Sequence, residues 1–145
     1  MSPAARARRS AAQPFSWPVR VYYEDTDSGG VVYYANYLKF LERARTEWLR
    51  AAGFEQSALA AVHNIVFIVR SISLQYLSPA RYDDRLAVSV EPGEFGAARI
   101  EMRQVVRRRR EELVTAQVEI ACVNTASFRP VRIPKPVIAK IGNKK

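Results

Sequence analysis

Tyr37-Leu38-Lys39-Phe40-Leu41-Glu42-Arg43-Ala44-Arg45-Thr46-Glu47-Trp48-Leu49-Arg50-Ala51-Ala52-Gly53 is the stretch whose period decides the architecture. Tyr37, Leu38, Leu41, Ala44, Arg45, Trp48 and Leu49 recur at i, i+3, i+4 spacing, and Lys39, Glu42, Arg43, Glu47 and Arg50 fall on the other side. That is the pattern of a helix with one buried stripe, on which Tyr37 and Trp48 read as packing residues. Gly53 suits the C-terminal cap, where a residue without Cβ enters the left-handed region freely. The helix therefore starts between Val32 and Asn36 and lasts about four to five turns. A weaker helical turn follows at Gln56 to Val62.

Outward from this helix, the regular segments read as strands. Val19 to Glu24, rich in β-branched and aromatic residues, is the first. Ile65, Phe67 and Val69 alternate with more polar neighbours, then Ile72, Leu74 and Tyr76 do so on the opposite parity, which implies a bulge near Arg70 and Ser71. Leu86, Val88 and Val90 make a third strand, and Pro92-Gly93 a turn. Ala98, Ile100, Met102 and Val106 make a fourth, and Val114, Ala116, Val118, Ile120 and Cys122 a fifth. Arg107 to Arg110, followed by Glu111 and Glu112, occupy a solvated hairpin between the last two. Pro130, Pro134 and Pro136 leave the C-terminal stretch irregular, or at most a short helix. One strand, a long helix and four more strands define an α+β domain, in which an antiparallel sheet curls its apolar face around a single helix.

The chain has 145 residues, 48% apolar and 26% charged, which fits one globular domain. A domain of this size buries roughly two thirds of the surface its unfolded chain exposes, so its core needs no staple. Its single cysteine, Cys122, rules out an intramolecular disulfide and reads as a buried structural thiol in a reducing compartment. No metal-ligand set is visible, and no stretch approaches the ~20 apolar residues of a membrane span. Arg6, Arg8 and Arg9 are followed by Ala11-Ala12-Gln13-Pro14 rather than a signal-peptide core. The expectation is a cytoplasmic protein with a disordered basic leader over residues 1–17, a folded domain over 18–141 and a basic tail over 142–145. The net charge of +9, from 23 basic and 14 acidic residues, attracts polyanions of any kind. Solvated turns and tails account for it as well.

Chemistry concentrates in Glu24-Asp25-Thr26-Asp27-Ser28-Gly29-Gly30-Val31-Val32-Tyr33-Tyr34, between a strand end and the helix start. The first turn of a helix has unpaired N–H groups and partial positive charge, and two glycines let a ligand approach the backbone. A carboxylate and N–H donors together are the two halves of an acyl-transfer site. The competing reading is that Asp25, Asp27 and Ser28 only shape a turn and cap the helix.

The run Tyr23 to Tyr37, then Phe40, Glu42-Arg43-Ala44-Arg45 and Glu47, closely resembles the hot-dog thioesterases. It is similar to the 4-hydroxybenzoyl-CoA thioesterase family and, within that group, to the Tol-Pal-associated acyl-CoA thioesterases. The resemblance continues through Phe67-Ile68-Val69-Arg70 and Tyr76-Leu77-Ser78-Pro79-Ala80-Arg81-Tyr82-Asp83-Asp84 to Pro130 and Pro134-Lys135, covering residues 17 to 141.

That resemblance implies a hot-dog fold, with five strands around one long central helix, and pairing into dimers or a dimer of dimers that binds acyl-CoA at the subunit interface. Its catalytic carboxylate falls on Asp27, as nucleophile or as general base toward water. The oxyanion donor falls on the backbone N–H of Tyr34, and Gly29, Gly30, Val31, Val32 and Tyr33 fall in the substrate-binding loop. Many Tol-Pal-associated members carry histidine where this chain has Tyr34, so an imidazole's acid/base role is missing here, while an N–H survives any substitution but proline. A phenol there bears on the acyl group instead, by narrowing its pocket, stacking or hydrogen bonding.

Arg129, Arg132 and Lys135 are candidate contacts to coenzyme A phosphates. His63 reads as structural, and so do Asp25 and Glu24. The reaction implied is hydrolysis of a short-chain or aromatic acyl-CoA, extending to thioesters of acyl carrier protein, with no cofactor beyond the substrate's own coenzyme A. Two rivals are a hot-dog acyl-CoA-binding protein without catalysis and a nucleic-acid-binding protein, although recognition elements for the latter are missing.

Overall fold

The apolar stripe of the helix and the alternating strands meet in one core. The computed structural model describes residues 14–142. Its elements are β1 (Phe15–Arg20), 3₁₀ turns at Tyr23–Asp25 and Tyr34–Asn36, α1 (Tyr37–Ala51), α2 (Gln56–His63), β2 (Ile65–Tyr76), β3 (Arg85–Phe95), β4 (Arg99–Arg108), β5 (Glu111–Asn124) and α3 (Lys135–Ile141). The five strands pair antiparallel in the order β1-β3-β4-β5-β2, so β1 and β2, which flank the helices in sequence, are the two edges.

Tyr37, Phe40, Leu41, Ala44, Trp48 and Leu49 of α1 are buried. They share the core with Leu86, Val88 and Val90 of β3, with Ile100, Met102 and Val106 of β4, and with the alternate residues Val114 to Cys122 of β5. Full burial of each Leu or Phe contributes about 1.5–3 kcal/mol. Leu38, at the edge of the stripe, stays 41% exposed and Phe40 enters the core instead. The regular helix begins at Tyr37, one residue beyond the expected window, because Tyr34–Asn36 takes the tighter 3₁₀ path. It ends at Ala51, and Gly53 adopts a φ of +99°.

Two boundaries differ from expectation. The first strand is Phe15–Arg20 rather than Val19 to Glu24, and the folded region starts ahead of residue 18. Phe15 and Trp17 continue the parity of Val19 and Val21, pair with Val90 and Val88, and pack on the core. Pro18 is tolerated because β1 is an edge strand. Of the expected leader, residues 1–13 lie outside the described residues, as do residues 143–145 of the expected tail. The second difference is at Pro92-Gly93, which lies within β3, the turn falling instead between Phe95 and Arg99. β1 stops pairing at Val90, so Pro92 forfeits no ladder hydrogen bond on that side, and the register to β4 shifts between Pro92 and Phe95.

The other local expectations have direct counterparts. The register of β2 against β5 shifts between Val69 and Ser71. Arg109 and Arg110 make a two-residue hairpin, with Arg107 paired to Glu112 at 3.0 Å and Arg108 to Glu111 at 2.9 Å. Among the described residues no helix is long and apolar enough to cross a membrane.

One polar residue sits where the strand pattern called for an apolar one. Gln104, on the core face of β4, is fully buried. Its amide nitrogen donates to the carbonyls of Leu41 (3.1 Å) and Ser89 (3.2 Å), and its oxygen accepts from Arg45 (3.0 Å). The helix is thereby pinned to the sheet at one height, since any slip would strand these groups without partners.

Cys122 is fully buried, and burial pushes its thiol up to about 11. An unfolded thiol titrates near 8.5, so below about pH 8 both states keep the proton, and between the two values only the unfolded chain loses it. Stability should therefore fall by about 1.4 kcal/mol per pH unit through that window. Urea midpoints measured between about pH 8.5 and 9.5, below the range in which tyrosines titrate, should show this slope and lose it in Cys122→Ala, and thiol reagents at pH 8 should label the chain only after unfolding.

Candidate active site

The acidic loop leaves β1 through the 3₁₀ turn Tyr23–Asp25 and returns to start α1. Asp25 is buried, and its carboxylate accepts from the Tyr22 N–H (2.8 Å) and the Asn36 amide (2.6 Å), while its carbonyl accepts from the Tyr33 N–H (2.9 Å). The bonds from Asn36 and Tyr33 thus tie the front of the loop to the first turn of the helical segment, and the one from Tyr22 holds the Asp25 carboxylate in place. A bridge between Thr26 and Val32 closes the loop's neck. On its far side the Val32 N–H donates to the Ala80 carbonyl (2.9 Å), and the Ala80 N–H donates to the Tyr37 hydroxyl (3.0 Å).

Inside the neck, the Asp27 N–H donates to the Val31 carbonyl (2.9 Å) and the Gly30 N–H to the Asp27 carbonyl (3.0 Å). Asp27 Oδ1 accepts the Gly29 N–H at 2.8 Å, and a Cβ on Gly29 would stand 3.2 Å from that oxygen. Gly30 has a φ of +83°, a conformation that side chains rarely adopt. The two glycines therefore serve the carboxylate: one leaves room beside it and the other turns the chain back. Asp27 itself is exposed in the protomer, with Oδ2 free of protein donors among the described residues.

Tyr34 opens the 3₁₀ turn that leads into α1, and its N–H makes no hydrogen bond to the described residues. Its carbonyl accepts the Tyr76 hydroxyl at 3.0 Å, and the Tyr76 ring stands edge-on to Tyr34 and tilted against Tyr37. Beside this cluster lies a groove of about 280 Å³ lined by Val32, Tyr34, Tyr37 and the segment Tyr76 to Pro79. Burial raises the Tyr37 and Tyr76 phenols above their ordinary value. Tyr33 is raised first by the neighbouring Tyr34 phenol, with the Asp27 charge adding to it.

Of the residues singled out in the sequence, Val32 and Tyr34 line the groove. Gly29 and Gly30 shape the Asp27 loop, Val31 bridges to Arg81, and Tyr33 is exposed. Asp27 is not among the lining residues. Arg129, Arg132 and Lys135 are not brought to this site. They follow β5, whose end at Asn124 pairs with Ile65, while Tyr76, beside the groove, is at the other end of β2. Twelve residues of strand, about 36 Å at ~3.3 Å per residue, lie between. His63 closes α2, next to the far end of β2.

The sequence reading missed Tyr76, Leu77, Ser78 and Pro79 as groove residues and Asn36 as the partner of Asp25. A tyrosine ending a strand just before Leu-Ser-Pro was a signal for the first group; the Asp25–Asn36 pair, eleven residues apart, had none. Among the described residues there is no cluster of His, Cys, Asp and Glu that could hold a metal ion.

Residues 21–141 match the thioesterase-like superfamily. The chain is 46% identical over 125 residues to the acyl-CoA thioesterase YbgC of Haemophilus influenzae, covering 86% of this chain and 92% of that protein. It is 43% identical over 127 residues to the acyl-CoA thioester hydrolase YbgC of Escherichia coli, covering 87% and 94%. A solved chain from Bartonella henselae superposes with a TM-score of 0.81 at 38% identity, covering 84% of this chain and 100% of that one. The 1,4-dihydroxy-2-naphthoyl-CoA thioesterase of Synechocystis, at 23% identity and TM-score 0.80 over 91% and 100%, shares the fold. The chain belongs to the thioesterase-like superfamily, with the hot-dog fold, and is a thioester hydrolase.

The clamp on Asp25 makes a prediction about the loop. Asn36→Ala leaves a buried carboxylate with one donor fewer and should cost about 1–3 kcal/mol in urea unfolding. Asn36→Asp, which sets a second carboxylate against the first, should cost more.

Proposed function

We propose that this protein hydrolyses the thioester of a short-chain or aromatic acyl-CoA, using the Asp27 carboxylate as nucleophile or general base and the N–H of Tyr34 as oxyanion donor. The observation that carries this reading is the loop itself, which exposes a carboxylate with one oxygen free of protein donors, seven residues before an unpaired backbone amide at the helix start. In the transition state, charge develops on the thioester oxygen, and a fixed N–H aimed at that position needs no reorganisation to stabilise it. The groove of about 280 Å³, walled by Tyr34, Tyr37 and Tyr76, fits a ring or a short chain better than a long one. Its aromatic faces favour a planar acyl group. Acyl groups carried on acyl carrier protein present the same thioester and extend the reading, as do a cytoplasmic location and an association with the Tol-Pal system.

A phosphate contact by Arg129, Arg132 and Lys135 requires a second protomer. The free edge of β2 offers the place: antiparallel pairing of β2 with its copy brings the start of one strand beside the end of the other, and with it the partner's basic segment beside this Asp27 loop. The assembly that serves the reaction is thus a homodimer, or a tetramer built from two.

Asp27→Asn keeps the shape and removes the charge. It should lower kcat at least about 100-fold in a free-thiol release assay over a panel of acyl-CoAs, with circular dichroism unchanged. Near wild-type turnover would refute the role. The donor can be tested apart from the side chain, because Tyr33, at φ −59° and ψ 132°, already has the conformation a following proline demands. Tyr34→Pro should fall about 100- to 1,000-fold below Tyr34→Ala, the two differing chiefly in the N–H. Arg129→Ala with Arg132→Ala should raise KM for acyl-CoA several-fold, leave kcat unchanged, and have no effect on a pantetheine thioester that lacks the nucleotide.

A further inference from the structure

The turn that follows β5 holds an aromatic ring out into solvent. Phe128 is 59% exposed, packs neither in the core nor against it, and meets no other aromatic ring among the described residues. Its φ of +57° lies in the left-handed region, which bulky side chains rarely adopt; the other non-glycine residues found there among the described ones are Asn64, Asp83 and Arg109. The surroundings impose this backbone. Asn124 Oδ1 accepts the N–H groups of Ala126 (2.8 Å) and Ser127 (3.0 Å), the Phe128 N–H donates to the Asn124 carbonyl (2.9 Å), and the Asn124 N–H donates to the Arg129 carbonyl (2.9 Å). The Thr125 N–H donates to the Asn64 carbonyl (3.0 Å) and so ties the turn to the end of α2. A residue strained in this way that adds no packing points to a use outside the protomer.

What the ring meets follows from its neighbours. Arg129, next in the chain, and Arg132 are exposed, and neither has a carboxylate within ion-pair distance among the described residues. A flat apolar face beside two such guanidinium groups is complementary to a nucleotide, whose base stacks and whose phosphates pair. Coenzyme A has one aromatic group, its adenine, and its pantetheine arm has nothing to stack. We infer that Phe128 is a specificity-determining residue for the coenzyme A half of the substrate, its ring stacking on the adenine while Arg129 and Arg132 hold the phosphates. The inference rests on the phosphate contacts and the homodimer of the proposed function, which bring this segment to the thioester. It adds recognition of the base, which charge alone does not supply.

Turnover of benzoyl-CoA against S-benzoyl-pantetheine by the full-length chain tests the stacking. Phe128→Gly removes the ring and suits the left-handed backbone, so the urea midpoint should stay unchanged or rise. Its KM for benzoyl-CoA should rise about fivefold or more, the low end of what stacking on one base contributes, with kcat and the pantetheine thioester unaffected. Phe128→Tyr should keep the wild-type KM. Phe128→Trp gives a direct signal: coenzyme A should quench the added emission, and pantetheine should not. All three variants should sediment as the wild type does. An unchanged KM for benzoyl-CoA in Phe128→Gly, or an equal rise with both substrates, would overturn the stacking. Dissociation of the oligomer would do so too, because it would mark the ring as a subunit contact. The phosphate reading is tested separately by Arg129→Ala with Arg132→Ala; if that pair discriminates the two substrates and Phe128→Gly does not, the stacking alone fails.

Discussion

A single helix must hide one apolar stripe, and a five-stranded sheet must hide one apolar face; each solves the other's problem. Phe40, Leu41 and Ala44 of α1 are completely buried, and so are Val88, Val90, Ile100 and Val106 opposite them. The consequence reaches beyond stability. Burial of the middle of α1 leaves its first turn at the margin of the core, where backbone N–H groups stay unpaired and a loop can bring a carboxylate nearby.

Apolar burial tolerates sliding, because it is non-directional. Position along the helix axis is set by polar groups that have one good arrangement. Gln104, reaching from β4 to Leu41 and Arg45, holds the middle of the helix at one height. Asp25, held by Asn36 and by the Tyr22 N–H, fixes the loop to the start of the helical segment. With both ends of the loop anchored, and Gly29 and Gly30 supplying the room and the turn, the place of the Asp27 carboxylate follows from the backbone and from the one N–H it accepts, that of Gly29.

The sheet's two edges have opposite characters. β1 carries Pro18 and is only six residues long, which discourages addition of another strand. β2 is twelve residues long, is bulged at Arg70, and pairs with no other strand along its outer edge among the described residues. The groove lies at one end of β2 and the basic segment after β5 at the other, so one protomer keeps the two apart.

By itself the sequence determined the helix, the number of strands, the bulge at Arg70 and the Asp-Ser-Gly-Gly loop, because each depends on periods and turn preferences that act within a few residues. It misplaced β1 and the turn after β3, since Pro18 and Pro92 are acceptable only at sheet edges and neighbours in the sheet are not neighbours in the chain. Pairings at long range were beyond it too: Asn36 with Asp25, Gln104 with Arg45, Tyr76 with Tyr34, and the distance between Asp27 and Arg129. Only the tertiary structure decided these, because side-chain hydrogen bonds act over about 3 Å and leave no period in the sequence for a reader to find.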